Sequence, residues 1–288
     1  MLKIALPNKG RLADDTRELF TDAGLDIRRI GDRALTASLG GEFEALFVRA
    51  QDIPEFVADG AADAGVTGWD LVCESGRPLE ATLDLGFGRC RMVVAAREES
   101  GVASVADLAG MQRVATAFPR ITRSFFAEAA CEVDVVPMSG AAEIAPHLGI
   151  ADVIVDITSS GSTLRMNGLR EIVTILESSA RLVAPRAAAG WPDDKRRAFT
   201  ELTTALGSVL QARGQRYLMA NVPRAALDRV KQVLPGLGGP TVIDILNGGA
   251  LVAVHAVVPA GAIYRTIARL QELGAEGLLV TRIERLVA

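Results

Sequence analysis

The sequence predicts an α/β protein built as two lobes, followed by a third unit with a different strand order. Three observations carry this. Apolar strand-like runs alternate with helical segments along the first half of the chain. A second series of the same kind begins near Arg91, and past about residue 180 the chain recrosses toward the first. From Gln215 the order becomes strand, helix, two strands, helix, strand, which is that of the ferredoxin-like unit.

The elements follow in order. Residues 2–7 (LKIALP) form a strand, and 14–24 a helix closed by Gly24. Residues 43–49 are a strand, 52–60 a helix and 63–68 a strand. In the second series 91–96, 112–117 and 131–136 are strands, with helices over 119–130 and 139–149, and 151–157 supplies a further strand. Residues 169–185 give two extended pieces and 192–214 one long helix. In the tail, strands at 216–222, 240–246, 250–258 and 276–287 alternate with helices at 223–234 and 259–274. The turn-rich PGLGGP link at 235–240 lies inside this unit. The expected boundaries are 1–90 plus about 180–213 for lobe one, 91–179 for lobe two and 214–288 for the tail. Two α/β lobes with several crossings form a cleft between them.

At 288 residues and 49% hydrophobic, the chain has material for more than one core. A net charge of −4 argues against a nucleic-acid partner. The three cysteines, Cys73, Cys90 and Cys131, form no CxxC pair, which fits a reducing compartment and no zinc site. The N-terminal apolar run is too short for a signal peptide. The most apolar later window, 249–263, contains His255 and Pro259 and is too short to span a bilayer. The expectation is a soluble, cytoplasmic protein with no membrane partner.

The most informative stretch is DVIVDITSSGSTL, residues 152–164. An apolar strand runs into Asp156, and then come Thr158, Ser159, Ser160, Gly161, Ser162 and Thr163. Such a loop between a strand and a helix turns backbone N–H groups and hydroxyls toward one point, and the helix N-terminus adds partial positive charge. Together these make a phosphate site without a lysine. Asp156 is itself an anion and cannot serve that phosphate. Its role is to accept hydrogen bonds from neutral hydroxyls, such as those of a ribose. The alternative is an ordinary N-cap followed by a polar loop.

Basic groups sit where α/β proteins bind ligands, at the carboxyl edge of the strands. Lys9 and Arg11 lie in the first strand-to-helix loop, and Arg49 ends a strand at the same edge. Each is otherwise a solvated surface base. Asp70 follows GVTGW at another strand end, where Gly65 and Gly68 permit close approach; the alternative is an acid at a helix start. Arg120 and Arg123 face the cleft or solvent. With only two histidines, His147 and His255, both expected at packing or surface positions, the chain offers no convincing serine–histidine triad.

The loop resembles those of phosphoribosyltransferases, with one acid where the common type has two adjacent ones. That variant, with LPNKGRL (6–12), VRAQDIP (48–54), GVTGWDL (65–71), LGFGRCRMVVAA (85–96) and RVATAFPR (113–120) in order, resembles the ATP phosphoribosyltransferase family. The tail motifs PGLGGPT and GAEGLLVTRIERL resemble the regulatory domain of its long form. The resemblance implies a two-lobed catalytic core like the periplasmic binding proteins and an ACT-like regulatory tail. It implies transfer of phosphoribosyl from phosphoribosyl diphosphate to N1 of ATP, with release of pyrophosphate, as the first step of histidine biosynthesis. Asp156, Thr158, Ser159, Ser160, Gly161, Ser162 and Thr163 would hold phosphoribosyl diphosphate. Lys9, Arg11, Arg49 and Asp70 would hold ATP, with Asp70 at the adenine amino group. No general base is expected, because N1 already carries a lone pair.

Mg²⁺ is implied by the diphosphate, with no protein ligand assigned; Glu143 and Asp152 stand as second-sphere partners or as surface acids. The resemblance further implies a homo-oligomer, dimer to hexamer, inhibited by histidine. Asp228, Gly236, Thr241 and Asp244 are the tail candidates for histidine. The competing expectation is a two-lobed binding or regulatory subunit without catalysis.

Overall fold

The computed structural model describes residues 1–27, 34–108, 112–246 and 249–287. They form two compact units, residues 1–21 with 25–201, and residues 22–24 with 202–288. The chain passes from one to the other within the helix Asp193–Ala212.

The first unit holds two sheets. The six-stranded sheet runs in the order Thr36–Ser38, Phe43–Val48, Leu2–Pro7, Ala64–Gly68, Ala180–Pro185, Leu79–Asp84. Leu2–Pro7 is parallel to both neighbours and buried almost throughout, as a central parallel strand covered on both faces must be. The returning strand Ala180–Pro185 is antiparallel to Ala64–Gly68 and Leu79–Asp84. The five-stranded sheet runs Leu169–Ser178, Cys90–Arg97, Val153–Thr158, Gln112–Thr116, Val133–Pro137. Leu169–Ser178 has register shifts between Glu171 and Val173 and between Thr174 and Leu176. The extra residues bend the strand as it leaves for the other sheet.

Buried Met92, Val94, Phe126, Val153 and Val155 pack on one face of the five-stranded sheet. Val93, Ala95, Ala115 and Ile154 pack on the other. Both faces are therefore covered, and the apolar runs of these strands are nearly continuous. The helix Arg11–Asp22 ends at Gly24, whose φ of 75° suits the left-handed turn there.

One expected helix is absent, and two strands lie where no element was expected, for physical reasons. Residues 139–149 form no helix, only the short 3₁₀ turn Ala142–Ile144, because Gly140, Pro146 and Gly149 interrupt the run. The strands Thr36–Ser38 and Leu79–Asp84 escaped notice because most of their residues are exposed, so no apolar alternation marks them. The helix Trp69–Ser75 follows the glycines of GVTGW and puts Asp70 in its first turn, the alternative placement given for that acid.

The tail sheet runs Thr241–Asp244, Leu251–Pro259, Gln215–Pro223, Glu276–Arg282, with every pairing antiparallel. With the helices Leu227–Val233 and Ile263–Glu272, this is the expected ferredoxin-like unit. Leu218, Ala220 and Val222 alternate inward with Val252, Val254, Ala256 and Val258. Among the described residues no helix is long and apolar enough to cross a membrane.

Candidate active site

A cavity of about 520 Å³ opens between the two sheets of the first unit. Arg11, Gly68 and Asp70 line it from the six-stranded side, and Asp156, Thr158, Ser159, Ser160, Ser162 and Thr163 from the other. Lys9 and Arg49 are exposed at the same carboxyl edge, outside the lining. Asn8 N–H donates to Val48 O at 2.8 Å, which ties their two loops together. Gly161 is not in the lining either. It is the hinge of the loop: its φ is 71°, and a Cβ there would meet Glu171 Oε1 at 2.4 Å.

The hydroxyls of the loop divide their work. Thr158 Oγ1 accepts Gly161 N–H at 2.9 Å and closes the turn. Ser160 and Ser162 hydroxyls pair at 2.9 Å. Arg11 donates across the cleft to Ser159 Oγ at 3.3 Å. The Thr163 hydroxyl has no hydrogen bond among the described residues and lines the cavity. The first helical bond runs from Arg165 N–H to Gly161 O, which leaves the amides of Thr163 and Leu164 without a main-chain acceptor among the described residues. The helix Ser162–Met166 has only five residues. Its dipole is correspondingly small, and amides and hydroxyls supply most of what an anion would meet here.

Asp156 is half-buried on the strand Val153–Thr158, and its Oδ1 accepts the Ile157 N–H at 2.7 Å. Burial pushes its carboxyl above the ordinary range; the Ile157 bond opposes this, and the Glu143 charge adds to it. Glu143 reaches the cavity from the turn Ala142–Ile144.

Asp70 is buried, at 6% exposure, in the first turn of the helix Trp69–Ser75. The Ser178 hydroxyl donates to Asp70 Oδ1 at 2.6 Å, and Asp70 N–H donates to Ser178 Oγ at 3.0 Å. Gly68 leaves room for this carboxylate, since a Cβ there would meet Asp70 Oδ1 at 2.3 Å. Gly65 does something else: a Cβ would meet Ile53 Cγ2 at 2.4 Å, so it admits the helix Ile53–Ala58 onto the sheet. Cys90 also lines the cavity; burial raises its thiol, and Asp70 adds to the rise.

Beside Ser159 lies a smaller recess of about 270 Å³ lined by Arg89, Arg91 and Arg181 together with Asp84 and Glu177. Arg91 is engaged with both oxygens of Glu171, at 2.7 and 2.8 Å. Arg181 lies 4.5 Å over the Trp69 ring. Asp152 is a strand-start acid, its Oδ2 accepting Arg113 N–H at 2.8 Å. Arg120 is drawn away from the cleft, its guanidinium lying against Gly76.

The family model for ATP phosphoribosyltransferase matches residues 49–208, and the model for the C-terminal domain of the same proteins matches 212–285. A curated ATP phosphoribosyltransferase from Gemmatimonas aurantiaca is 69% identical over the whole of both chains. One from Haloarcula marismortui is 51% identical over 99% of this chain and all of its own. The chain belongs to the ATP phosphoribosyltransferase family. A solved complex of the ATP phosphoribosyltransferase HisG with HisZ, from Thermotoga maritima, superposes with a TM-score of 0.63 at 28% identity. The match covers 72% of this chain and 99% of that one.

ATP phosphoribosyltransferase chemistry thus belongs to a chain whose tail candidates are dispersed. Asp244 is paired with Arg224, which also donates to Gly249 O at 3.1 Å. Asp228 is solvent-exposed and lies 3.6 Å from Lys231 Nζ. Gly236 takes a left-handed φ of 56° against Gly239, and Thr241 starts an exposed edge strand. Ser178, Glu143, Cys90 and Phe118 went unassigned or were left open in the sequence, since nothing local marks them as neighbours of Asp70 or Asp156.

Proposed function

We propose that the cleft brings phosphoribosyl diphosphate and ATP together for direct transfer to N1. The loop 158–163 holds the 5-phosphate, Asp156 the ribose hydroxyls, Asp70 the adenine amino group, and Arg11 the phosphates nearest the reacting carbon. The observation that carries this is the single cavity that Asp70 and Arg11 share with Asp156 and the loop. Lys9 and Arg49, at the same edge, reach the outer phosphates. In these terms residues 1–90 with about 180–213 are the ATP lobe, 91–179 the phosphoribosyl lobe and 214–288 a regulatory domain.

N1 of adenine presents a lone pair and has no proton to remove. Positive charge grows on the ribose ring while negative charge gathers on the leaving pyrophosphate. Placement and fixed charge therefore do most of the work. The Glu143 and Asp156 carboxylates lie on the ribose side, where a cationic ring is favoured. The diphosphate would carry Mg²⁺ in, since that ion keeps several waters and takes few protein ligands. When bound, Mg²⁺ neutralises charge on the departing pyrophosphate. Glu143, on the cavity lining, is the acid that would meet it.

The test is pyrophosphate release on mixing the protein with ATP, phosphoribosyl diphosphate and Mg²⁺. No release from the folded protein would favour the non-catalytic binding subunit.

The tail is not needed to line the cleft, and its family resemblance supports binding of histidine as inhibitor, with assembly into a homo-oligomer. For histidine to slow the enzyme it must bind one arrangement better than another. A chain ending near Gly214 is expected to lose histidine inhibition altogether, measured as the rate with and without millimolar-scale histidine, on the order of weak metabolite affinities. A full-length enzyme indifferent to histidine would leave assembly as the role of the tail.

A further inference from the structure

We propose that Ser178 is a positioning residue for the adenine contact, holding Asp70 in the orientation that selects ATP. The proposal rests on the assignment of Asp70 to the adenine amino group.

Asp70 alone cannot fix its own direction. A carboxylate at the start of a short helix has rotamers that point along the helix, into solvent or into the cleft. Here one oxygen is taken: Oδ1 accepts from the Ser178 hydroxyl at 2.6 Å. The same hydroxyl oxygen accepts the Asp70 N–H at 3.0 Å. The two bonds lock backbone and side chain of Asp70 to one atom. Ser178 is itself fixed, at 6% exposure, as the last residue of the strand Leu169–Ser178. The next residue accepts Trp69 N–H through Ser179 O at 3.0 Å, so the segment grips the helix start twice. Oδ2 of Asp70 has no hydrogen bond among the described residues, and Asp70 lines the cavity. One oxygen is anchored and the other is left for a ligand donor.

Gly68 completes the arrangement. Its φ is −70°, which any residue adopts, so glycine is not there for backbone freedom. It is there because a Cβ would sit 2.3 Å from Oδ1, where the Ser178 bond is made. Two substitutions therefore disturb the same bond from opposite sides. Ser178→Ala removes the donor. Gly68→Ala keeps the donor and displaces the acceptor.

The measurement is discrimination between ATP and purine riboside triphosphate, which keeps the N1 lone pair and lacks the 6-amino group. The loss of N1 nucleophilicity in the analogue is common to all variants and cancels between them. Relative to the wild type, Ser178→Ala and Gly68→Ala should each lower the ATP preference in kcat/KM by about tenfold, the effect of one hydrogen bond to a charged group. The KM for phosphoribosyl diphosphate should stay unchanged. Ser178→Thr, which keeps the hydroxyl, should restore the preference. Asp70→Asn is the reference.

If Asp70→Asn lowers the preference while Ser178→Ala and Gly68→Ala keep it, the positioning role is wrong and the adenine assignment stands. If Ser178→Ala weakens both nucleotides equally, or raises the KM for both substrates, Ser178 only supports the fold. If Asp70→Asn itself keeps the preference, the adenine assignment falls, and the role proposed for Ser178 falls with it.

Discussion

The two lobes each bring an aspartate to the cleft near a strand end, and they treat it differently. Asp70 has a side-chain donor built in, with Ser178 on Oδ1 and Gly68 making space. Among the described residues Asp156 has only the N–H of the following residue, Ile157, and Glu143 nearby with the same charge. One carboxylate is held before any ligand arrives. The other has fewer partners, and burial holds its carboxyl above the ordinary range, with the Glu143 charge adding to the rise. The Asp70 side of the site is preorganised, and in the proposed reading the Asp156 side is completed by its ligand: hydroxyl donors from a ribose would supply what the protein does not.

The largest effect should come from removing the charge on the incomplete side. In the proposed role Asp156 accepts from two ribose hydroxyls, and Asp156→Asn, which keeps the shape and the Ile157 bond, should weaken that acceptance at a cost of about 1.5–3 kcal/mol. Turnover should fall by roughly one to two decades in a folded protein. Wild-type kinetics would break the comparison by removing Asp156 from the site.

Next is Thr163→Val, which deletes the unengaged hydroxyl of the loop. The KM for phosphoribosyl diphosphate should rise by about tenfold, the scale of one hydrogen bond to a charged group, while that for ATP stays comparatively unchanged. A rise for ATP alone would exchange the substrates between the lobes.

A pH profile then sharpens the contrast. In the proposed role, ribose hydroxyls need ionised Asp156 as acceptor. Affinity for phosphoribosyl diphosphate should therefore begin to fall on acidification at a higher pH than an ordinary aspartate would set. Asp156→Asn should lose that inflection, and Thr163→Val should keep it. An inflection that survives in Asp156→Asn belongs to another group.

The smallest effect is on stability, and its sign is diagnostic. A carboxyl raised by burial binds its proton more tightly folded than unfolded. Stability therefore falls as pH rises from the ordinary aspartate range through the raised value. At neutral pH the ionised group is a burden, so Asp156→Asn should melt slightly higher than the wild type, the gap closing in acid. A lower melting temperature at neutral pH would mean that the charge is compensated after all.

This asymmetry also marks what the sequence could disclose. Asp156 and its loop are contiguous, so a strand running into six small polar or glycine residues is visible as a candidate ligand loop. Ser178 lies 108 positions from Asp70, inside an unremarkable ESSA, and only the return of the chain to the first sheet makes them neighbours. Alternating apolar runs exposed the buried strands, while Leu79–Asp84, mostly exposed, carried no such period. Gly65 and Gly68 look alike in GVTGW, yet one admits a helix and the other a carboxylate. Sequence shows that a side chain is missing there, not what occupies the space.

Glu74 has a consequence for how the core comes apart. It stands in the helix Trp69–Ser75 of one lobe, yet its carboxylate accepts the amides of Arg120 at 2.8 Å and Ile121 at 3.0 Å, at the start of the helix Pro119–Glu128 of the other. Those first-turn amides have no acceptor within their own helix. Loss of such a cap costs about 0.5–2 kcal/mol. Unravelling either sheet alone strips a cap from, or leaves a stranded carboxylate in, its neighbour. Separate unfolding of one lobe therefore costs the other about that much, so Glu74→Ala should draw any two thermal transitions of the lobes further apart, read as a broader melting curve by calorimetry.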